Sequence, residues 1–354
     1  MSKNIKNQNN SLYYYHTDKN EEVQAEKIAN YAIQSLFILK NITNTKNVFK
    51  ISEELILWVT KEQAPQKSYI KVVEGADEVD YNTFFKVIHK NITGLYEDFN
   101  KKRYLLLMKM LYENPKTVVI YQNFGYQPRE NVYIFNNKKV DIDRRSIEDY
   151  PIFPDNISFT KEEKLQILPQ NSCMPTLYIC NNPKQVLLDF ATEITTVFND
   201  ASVLIAIAVT IAIMFFDLFI SEKQGFPYVI LYGDSNAGKS TILHMLTAIF
   251  GITNFTQLTS GTSTMPIIRA QLEKFTNMPV FFEELDKKRM DSIEDLGKDS
   301  FSATPRKKFS KEHKELVTEI NTTFCAATNN FFEEMTFANF SRCIPVNMQE
   351  SAIT

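Results

Sequence analysis

Glycine is scarce in this chain, nine residues in 354, against an ordinary usage of about 7%. Such a chain places glycine where backbone geometry demands it. Six of the nine (Gly225, Gly233, Gly238, Gly251, Gly261 and Gly297) follow position 224, so the C-terminal third is where a site is expected. Cysteine is scarce too: Cys173, Cys180, Cys325 and Cys343 contain no C-x-x-C pair. That excludes a zinc knuckle and a disulfide scaffold, and predicts reduced, mostly buried thiols in a cytoplasmic protein. Neither sign of charge dominates, with 39 Lys and Arg against 42 Asp and Glu, a net charge of −3. Contact with nucleic acid must therefore come from a local patch. The opening MSKNIKNQNNSLYYYH has no apolar leader core, which argues against secretion and predicts a disordered tail over residues 1–20.

What is present fits a folded, soluble protein: 44% hydrophobic and 23% charged residues, near the globular averages, over a length that accommodates two or three domains. One apolar run, Ala201 to Phe216, covers sixteen residues, or about 24 Å as a helix, short of the roughly 30 Å of a bilayer core. Asp200 and Asp217 bracket it, and no Lys or Arg occurs between Lys184 and Lys223. The expectation is a helix buried on most sides, with no membrane partner.

Residues 21–150 read as a mixed α+β N-terminal domain. EEVQAEKIANYAIQSLFILK and KKRYLLLMKMLYE carry apolar residues at helical spacing, so 21–112 is expected to be mainly helical. Residues 116–141 switch to TVVIY and NVYIF around Gly125 and Pro128, a β-hairpin or small meander. Residues 151–224 read as a linker, with Pro151, Pro154, Pro169 and Pro175, followed by a helical collar of two helices divided near Asn199-Asp200. Residues 225–354 alternate apolar runs with helical stretches, the pattern of an α/β core with a mostly parallel sheet, whose sites lie at the carboxyl ends of its strands.

Within that core, VILYGDSNAGKST places Gly233, Asp234, Ser235, Asn236, Ala237, Gly238, Lys239, Ser240 and Thr241 between an apolar strand and a helix. Gly233 to Ser240 fit G-x-x-x-x-G-K-[ST], the P-loop (Walker A) of an NTPase. In such a loop backbone N–H groups wrap the phosphates of ATP, Lys239 reaches the β- and γ-phosphates, and the Ser240 hydroxyl goes to Mg²⁺. Forty residues on, PVFFEELD ends a buried strand in Glu283, Glu284 and Asp286. Glu283 is placed to hold Mg²⁺ and Glu284 to polarise the attacking water, although which glutamate does which stays open. NTTFCAATNNF ends in Thr328, Asn329 and Asn330; Asn329, then Asn330, is the candidate that orients the water or senses the γ-phosphate. Arg342 precedes a final apolar strand, where it could act as an arginine finger on a neighbouring subunit's nucleotide.

The order of P-loop, strand with paired acids, basic segment, strand ending in T-N, and S-R before a last strand resembles superfamily 3 helicases within the AAA+ class. GFPYVILYGDSNAGKST followed by TSGTST and PVFFEELD is similar to the replication helicases of phages, plasmids and genomic islands, including the MCM-like proteins of staphylococcal cassette elements. FGYQPRENVYIFNN is similar to the β-rich stretch that precedes the ATPase in cassette-type proteins. The resemblance covers about residues 185–354. It implies an ATP-dependent replicative DNA helicase of a mobile genetic element, working as a homohexameric ring that translocates on DNA with 3′-to-5′ polarity. Glu283 stands where many such ATPases have aspartate, and the chain ends twelve residues after Arg342, so a C-terminal lid or winged-helix domain is expected to be missing.

Lys298 to Lys314 hold six basic residues (Lys298, Arg306, Lys307, Lys308, Lys311 and Lys314) against Asp299 and Glu312, a local net of +4. Such a patch gives salt-dependent, sequence-tolerant binding of a single strand. The resemblance places it at the pore-facing hairpin, with Lys311, His313 and Lys314 on DNA and Arg306, Lys307 and Lys308 nearer the nucleotide interface. Phe301 and Phe309 are expected to pack in the core rather than stack on bases.

Overall fold

The computed structural model describes residues 4–17, 22–44, 49–62, 67–73, 81–91, 94–95, 97–113, 115–152, 175–197, 201–222, 224–252, 259–260, 264–284, 290–309, 315–329 and 337–348. The chain divides into two compact units, one of Met1–Ile42, Lys50–Ile120 and Pro151–Gln170, the other of Thr43–Phe49, Tyr121–Tyr150 and Asn171–Thr354.

The first unit is built on two sheets, with antiparallel pairing in both. Strands β1 (Asn4–Gln8), β2 (Ser11–Thr17) and β3 (Val23–Ala29) form one, in that order. Strands β4 (Tyr31–Asn44), β5 (Phe49–Lys61), β6 (Lys67–Val73) and, after helices α1 (Tyr81–Asn91) and α2 (Lys101–Leu111), β7 (Lys116–Tyr121) form the second, in the order β6-β5-β4-β7.

Two expectations are corrected here. Within the supposed disordered tail, residues 4–17 form a hairpin: Asn9 and Asn10 both take positive φ (50° and 55°), the conformation of a tight two-residue turn that asparagine tolerates, and Gln8 pairs with Ser11 across it. The polar Asn run is the turn, while Leu12 and Tyr14 turn inward and are buried. The stretch 21–112, expected to be mainly helical, holds the strands β3, β4, β5 and β6 before α1 and α2. Tyr31, Ile33, Phe37 and Leu39 are all fully buried at a spacing of two; Ser35 sits on the same face and hides the period, leaving i, i+3 matches that mimic a helix. The helical expectation holds for α2, which Asn100 caps by accepting from the Arg103 N–H at 3.0 Å. Phe84, Phe85 and Ile88 of α1 and Tyr104, Leu107 and Leu111 of α2 pack with Ile5, Leu12, Ile28, Tyr31 and Ile33 in one core.

The second unit begins with the expected meander: β8 (Phe124–Gln127), β9 (Val132–Ile134), β10 (Lys138–Asp141) and β11 (Ser146–Asp149). There follow α3 (Pro183–Val197), α4 (Ala201–Ala212), a 3₁₀ turn at Ile213–Phe215, α5 (Phe216–Ser221), β12 (Tyr228–Gly233), α6 (Lys239–Ile249), β13 (Thr259–Ser260), α7 (Met265–Glu273), β14 (Phe275–Thr276) and β15 (Val280–Glu283). The last elements are α8 (Met290–Ser302), β16 (Arg306–Phe309), β17 (Glu315–Thr318), β18 (Phe324–Thr328), α9 (Phe337–Phe340) and β19 (Cys343–Met348).

The meander belongs to the same sheet as a C-terminal strand: β14 extends it in the order β11-β10-β9-β8-β14, pairing in parallel with β8. Gly125 makes that junction possible, since at φ +88° a Cβ there would lie 2.0 Å from the Thr276 carbonyl oxygen. The main sheet, β13-β15-β18-β12-β19, is parallel throughout. Tyr228 to Leu231 and Phe324 to Thr328 are buried along their whole lengths, as parallel strands covered on both faces must be. On one face Val203, Ala206 and Ile207 of α4 and Ile242, Leu243 and Leu246 of α6 pack against Val229, Leu231, Phe281, Cys325 and Val346. On the other, α8 comes so close to Tyr228 that a Cβ at Gly297 would meet its ring at 2.5 Å.

The apolar run departs from expectation. Ala201–Ser221 is long and apolar enough to cross a membrane, and only a third of it is buried. Val203, Ala206, Ile207 and Thr210 face the core, whereas Ile205, Phe215, Leu218 and Phe219 are exposed. Of the cysteines, Cys325 and Cys343 are buried and Cys180 is exposed.

Candidate nucleotide site

The loop leaving β12 is shaped by its glycines. Gly233 takes φ +136°, and a Cβ there would stand 2.0 Å from the Met348 carbonyl oxygen of β19. Asn236 follows in the left-handed region at φ 65°, and Gly238 caps α6 at φ 82°. Asp234, Ser235 and Asn236 are exposed, Ala237 is buried beneath them, and Ser240 and Thr241 are exposed in the first turn of α6. Lys239 is buried, 6% exposed. Its ammonium donates to the Gly233 carbonyl at 2.9 Å and to the Asp234 carbonyl. Burial pushes its pKa below the ordinary lysine value, and Asp234 pulls the other way. A ring of loop backbone ahead of a helix N-terminus, with a desolvated cation beside it, is an arrangement that holds phosphate.

The sheet order sets what else reaches this edge. Strand β18 lies between β12 and β15, so the ends of β12 and β15 are about 10 Å apart, two strand spacings. Tyr232 is level with Thr328, and Phe282 with Ala326. Glu283, Glu284 and Asn329 therefore lie at the same carboxyl edge as the loop. Glu283 is half-buried. Glu284 is exposed and adopts φ 56°, an uncommon state for a residue with a side chain and one that clusters at functional sites. Asn329 is exposed just past β18. Asn330 and Asp286 lie outside the described residues. The Ser240 hydroxyl and the Glu283 carboxylate are hard oxygen donors, the set that suits Mg²⁺ held jointly with substrate phosphates. Among the described residues there is no cluster of three or more His, Cys, Asp or Glu that could hold a metal without such sharing.

Arg342 sits elsewhere. It precedes β19, whose first residue pairs with Tyr228 at the amino end of β12, about 17 Å of strand from Gly233. Its guanidinium donates to the Ala338 carbonyl at 2.7 Å and lies 5.8 Å from the Phe301 ring centroid. Phe301 itself fills the notch left by Gly225, where a Cβ would meet its ring at 1.8 Å, so it packs as expected. Arg306, Lys307 and Lys308 lie on β16, which forms an antiparallel two-stranded ribbon with β17, Arg306 opposite Thr318 and Lys308 opposite Leu316. Lys311, His313 and Lys314 lie outside the described residues.

One neighbour of the acids gave no signal as a site residue. His244, five positions after Lys239 in α6, places Nε2 3.7 Å from Glu283 Oε1. It is a polar interruption in the apolar stretch TILHMLTAIF, and that interruption was the available clue.

Comparison with known proteins agrees in fold. No protein-family profile matches the sequence, and no curated protein does. Among solved structures, the chain is similar to one described as an SCCmec type IV Cch, an active helicase, with a TM-score of 0.53 at 14% identity, over 99% of this chain. The chain spans 59% of the length of that structure. The likeness establishes a helicase-like mixed α/β fold.

Proposed function

We propose that the chain is an ATP-hydrolysing motor of the superfamily 3 type within the AAA+ class, a soluble, cytoplasmic DNA helicase or replication-initiator ATPase of a mobile element. The observation that carries this reading is the loop Gly233–Thr241, with Lys239 buried and hydrogen-bonded to the Gly233 and Asp234 carbonyls of the loop itself. The cation is poised beside the phosphate seat, and exchanging carbonyl for phosphate oxygen gives it a charged partner. The similarity to a helicase in fold supports the same direction.

In this reading the loop N–H groups and the first turn of α6 hold the ATP phosphates, and Lys239 moves onto the β- and γ-phosphates. Ser240 and Glu283 hold Mg²⁺, which when bound neutralises charge that builds on the phosphates. Glu284 accepts the proton of the attacking water, and Asn329 orients that water. Arg342, about 17 Å of strand from its own loop, is read as acting on a neighbouring copy's nucleotide, in a homo-oligomeric ring that is a hexamer by resemblance. The ribbon β16–β17, with Arg306, Lys307 and Lys308, and the sequence segment of Lys311, His313 and Lys314 carry single-stranded DNA through the pore.

The experiment is to measure ATPase rate and oligomer size together, with and without single-stranded DNA. A rise in both rate and assembly on adding DNA supports the motor. A rate indifferent to DNA, with no salt-dependent binding, would favour a regulatory or partner-remodelling AAA+ ATPase. The exposed apolar residues of Ala201–Ser221 give a second check, since recovery in the soluble fraction without detergent is expected.

A further inference from the structure

The contact between α6 and the end of β15 extends the nucleotide site by one residue. His244 and Glu283 each keep about a third of their side chain exposed, at 35% and 34%, and approach to 3.7 Å at Nε2 and Oε1. That is contact distance, just beyond a hydrogen bond. The placement follows from the fold: α6 is anchored at its start by the loop and along its length by Ile242, Leu243 and Leu246 in the core, which fixes the side of the helix that meets β15. A carboxylate that binds a metal through one oxygen needs its other oxygen or its rotamer held, and such outer contacts commonly decide metal affinity.

We propose that His244 is a positioning residue for Glu283, holding the carboxylate in the orientation that presents an oxygen to Mg²⁺ carried with the nucleotide. The inference rests on the nucleotide reading above. His244 touches neither phosphate nor water; it acts through Glu283, and its place on the helix that begins with Lys239 ties the setting of the carboxylate to the seating of the loop.

The test is equilibrium binding of a fluorescent ATP analogue to the full chain across a Mg²⁺ titration, for the parent, His244→Ala, His244→Gln and Lys239→Ala. The parent is expected to bind more tightly as Mg²⁺ is added. His244→Ala should need at least about tenfold more Mg²⁺ for half of that gain, with its Mg²⁺-free affinity unchanged. His244→Gln, which keeps a donor within reach, should recover most of the loss. A Mg²⁺ requirement within twofold of the parent for His244→Ala overturns the inference, and so does an equal loss of affinity without Mg²⁺, the mark of a merely structural role. Lys239→Ala separates the two levels. If it binds as the parent does, the nucleotide reading falls; if it loses binding while His244→Ala matches the parent, only the role of His244 falls.

Discussion

Arg103 and Lys239 are met in different ways, the one by carboxylates and the other by carbonyls, and the second unit holds both kinds of contact, since its buried Arg269 meets Glu273 and Asp299. In the antiparallel unit, Arg103 is met by two carboxylates, Glu26 and Asp98, and stacks on Tyr14 at 4.9 Å; Lys27 is met by Glu62 at 2.6 Å. In the parallel sheet, Lys239 is met by carbonyl oxygens of its own loop. A cation closed by carboxylates ties strands and helices together. A cation resting on carbonyls of its own loop is open to an incoming anion. Topology reinforces the contrast: parallel strands gather their polar carboxyl ends along one edge, while antiparallel pairs distribute theirs over both ends.

The sharpest attempt to break this comparison is at the acids. Glu283→Gln and Glu284→Gln should each lower ATP hydrolysis by about 10²–10³-fold, and the two should part in the Mg²⁺ dependence of nucleotide binding. The residue whose change leaves that dependence intact is the one that activates water. Loss of only a few-fold in both, in steady-state kinetics, would mean that the carboxyl edge is not a site.

Glycine offers the next contrast, in stability. Gly233→Ala adds a Cβ 2.0 Å from backbone at φ +136°, whereas Gly94 in the first unit, at φ +71°, has only the Lys61 ammonium nearby at 3.4 Å. Gly94→Ala should cost about 1–3 kcal/mol from backbone strain alone, and Gly233→Ala clearly more, as read from denaturant midpoints. Equal losses would mean the loop has room that its packing denies. Arg103→Ala should cost about 1–3 kcal/mol through the loss of charged hydrogen bonds yet leave ATP turnover per folded molecule unchanged. An equal loss of turnover would dissolve the division of labour between tie and site.

The smallest effect concerns the seal of the parallel sheet. Burial pushes the Cys325 thiol up to about 12 and the Cys343 thiol to about 11. At pH 8 both stay protonated, below the thiolate fraction that reacts. Peptide mapping after thiol labelling of the native protein should find Cys180 modified and these two intact until denaturant is added. Rapid labelling of Cys325 would show the sheet to be open.

The candidate site was more legible than the fold around it. Gly233, Gly238 and Lys239 are specified by local backbone geometry, which a short motif carries intact, and the apolar runs of β12, β15 and β18 are long enough to announce buried strands. The antiparallel unit was misread because its signals are tertiary: Ser35 interrupts the alternation of β4, and the Asn9-Asn10 turn looks like a polar tail until Leu12 and Tyr14 have a core to face. The allegiance of the meander was hidden for the same reason, since the pairing of Gly125 with Thr276 joins residues far apart in sequence. His244 was missed because its meaning arises only when α6 is laid beside β15.

The central claim is that the loop around Lys239 seats the phosphates of ATP. The most direct measurement is the ATP hydrolysis rate of the parent beside Lys239→Ala, with circular dichroism confirming that both are folded. The account predicts measurable hydrolysis in the parent and a loss of about 10²-fold or more in the variant. Equal rates in the two folded proteins would contradict it.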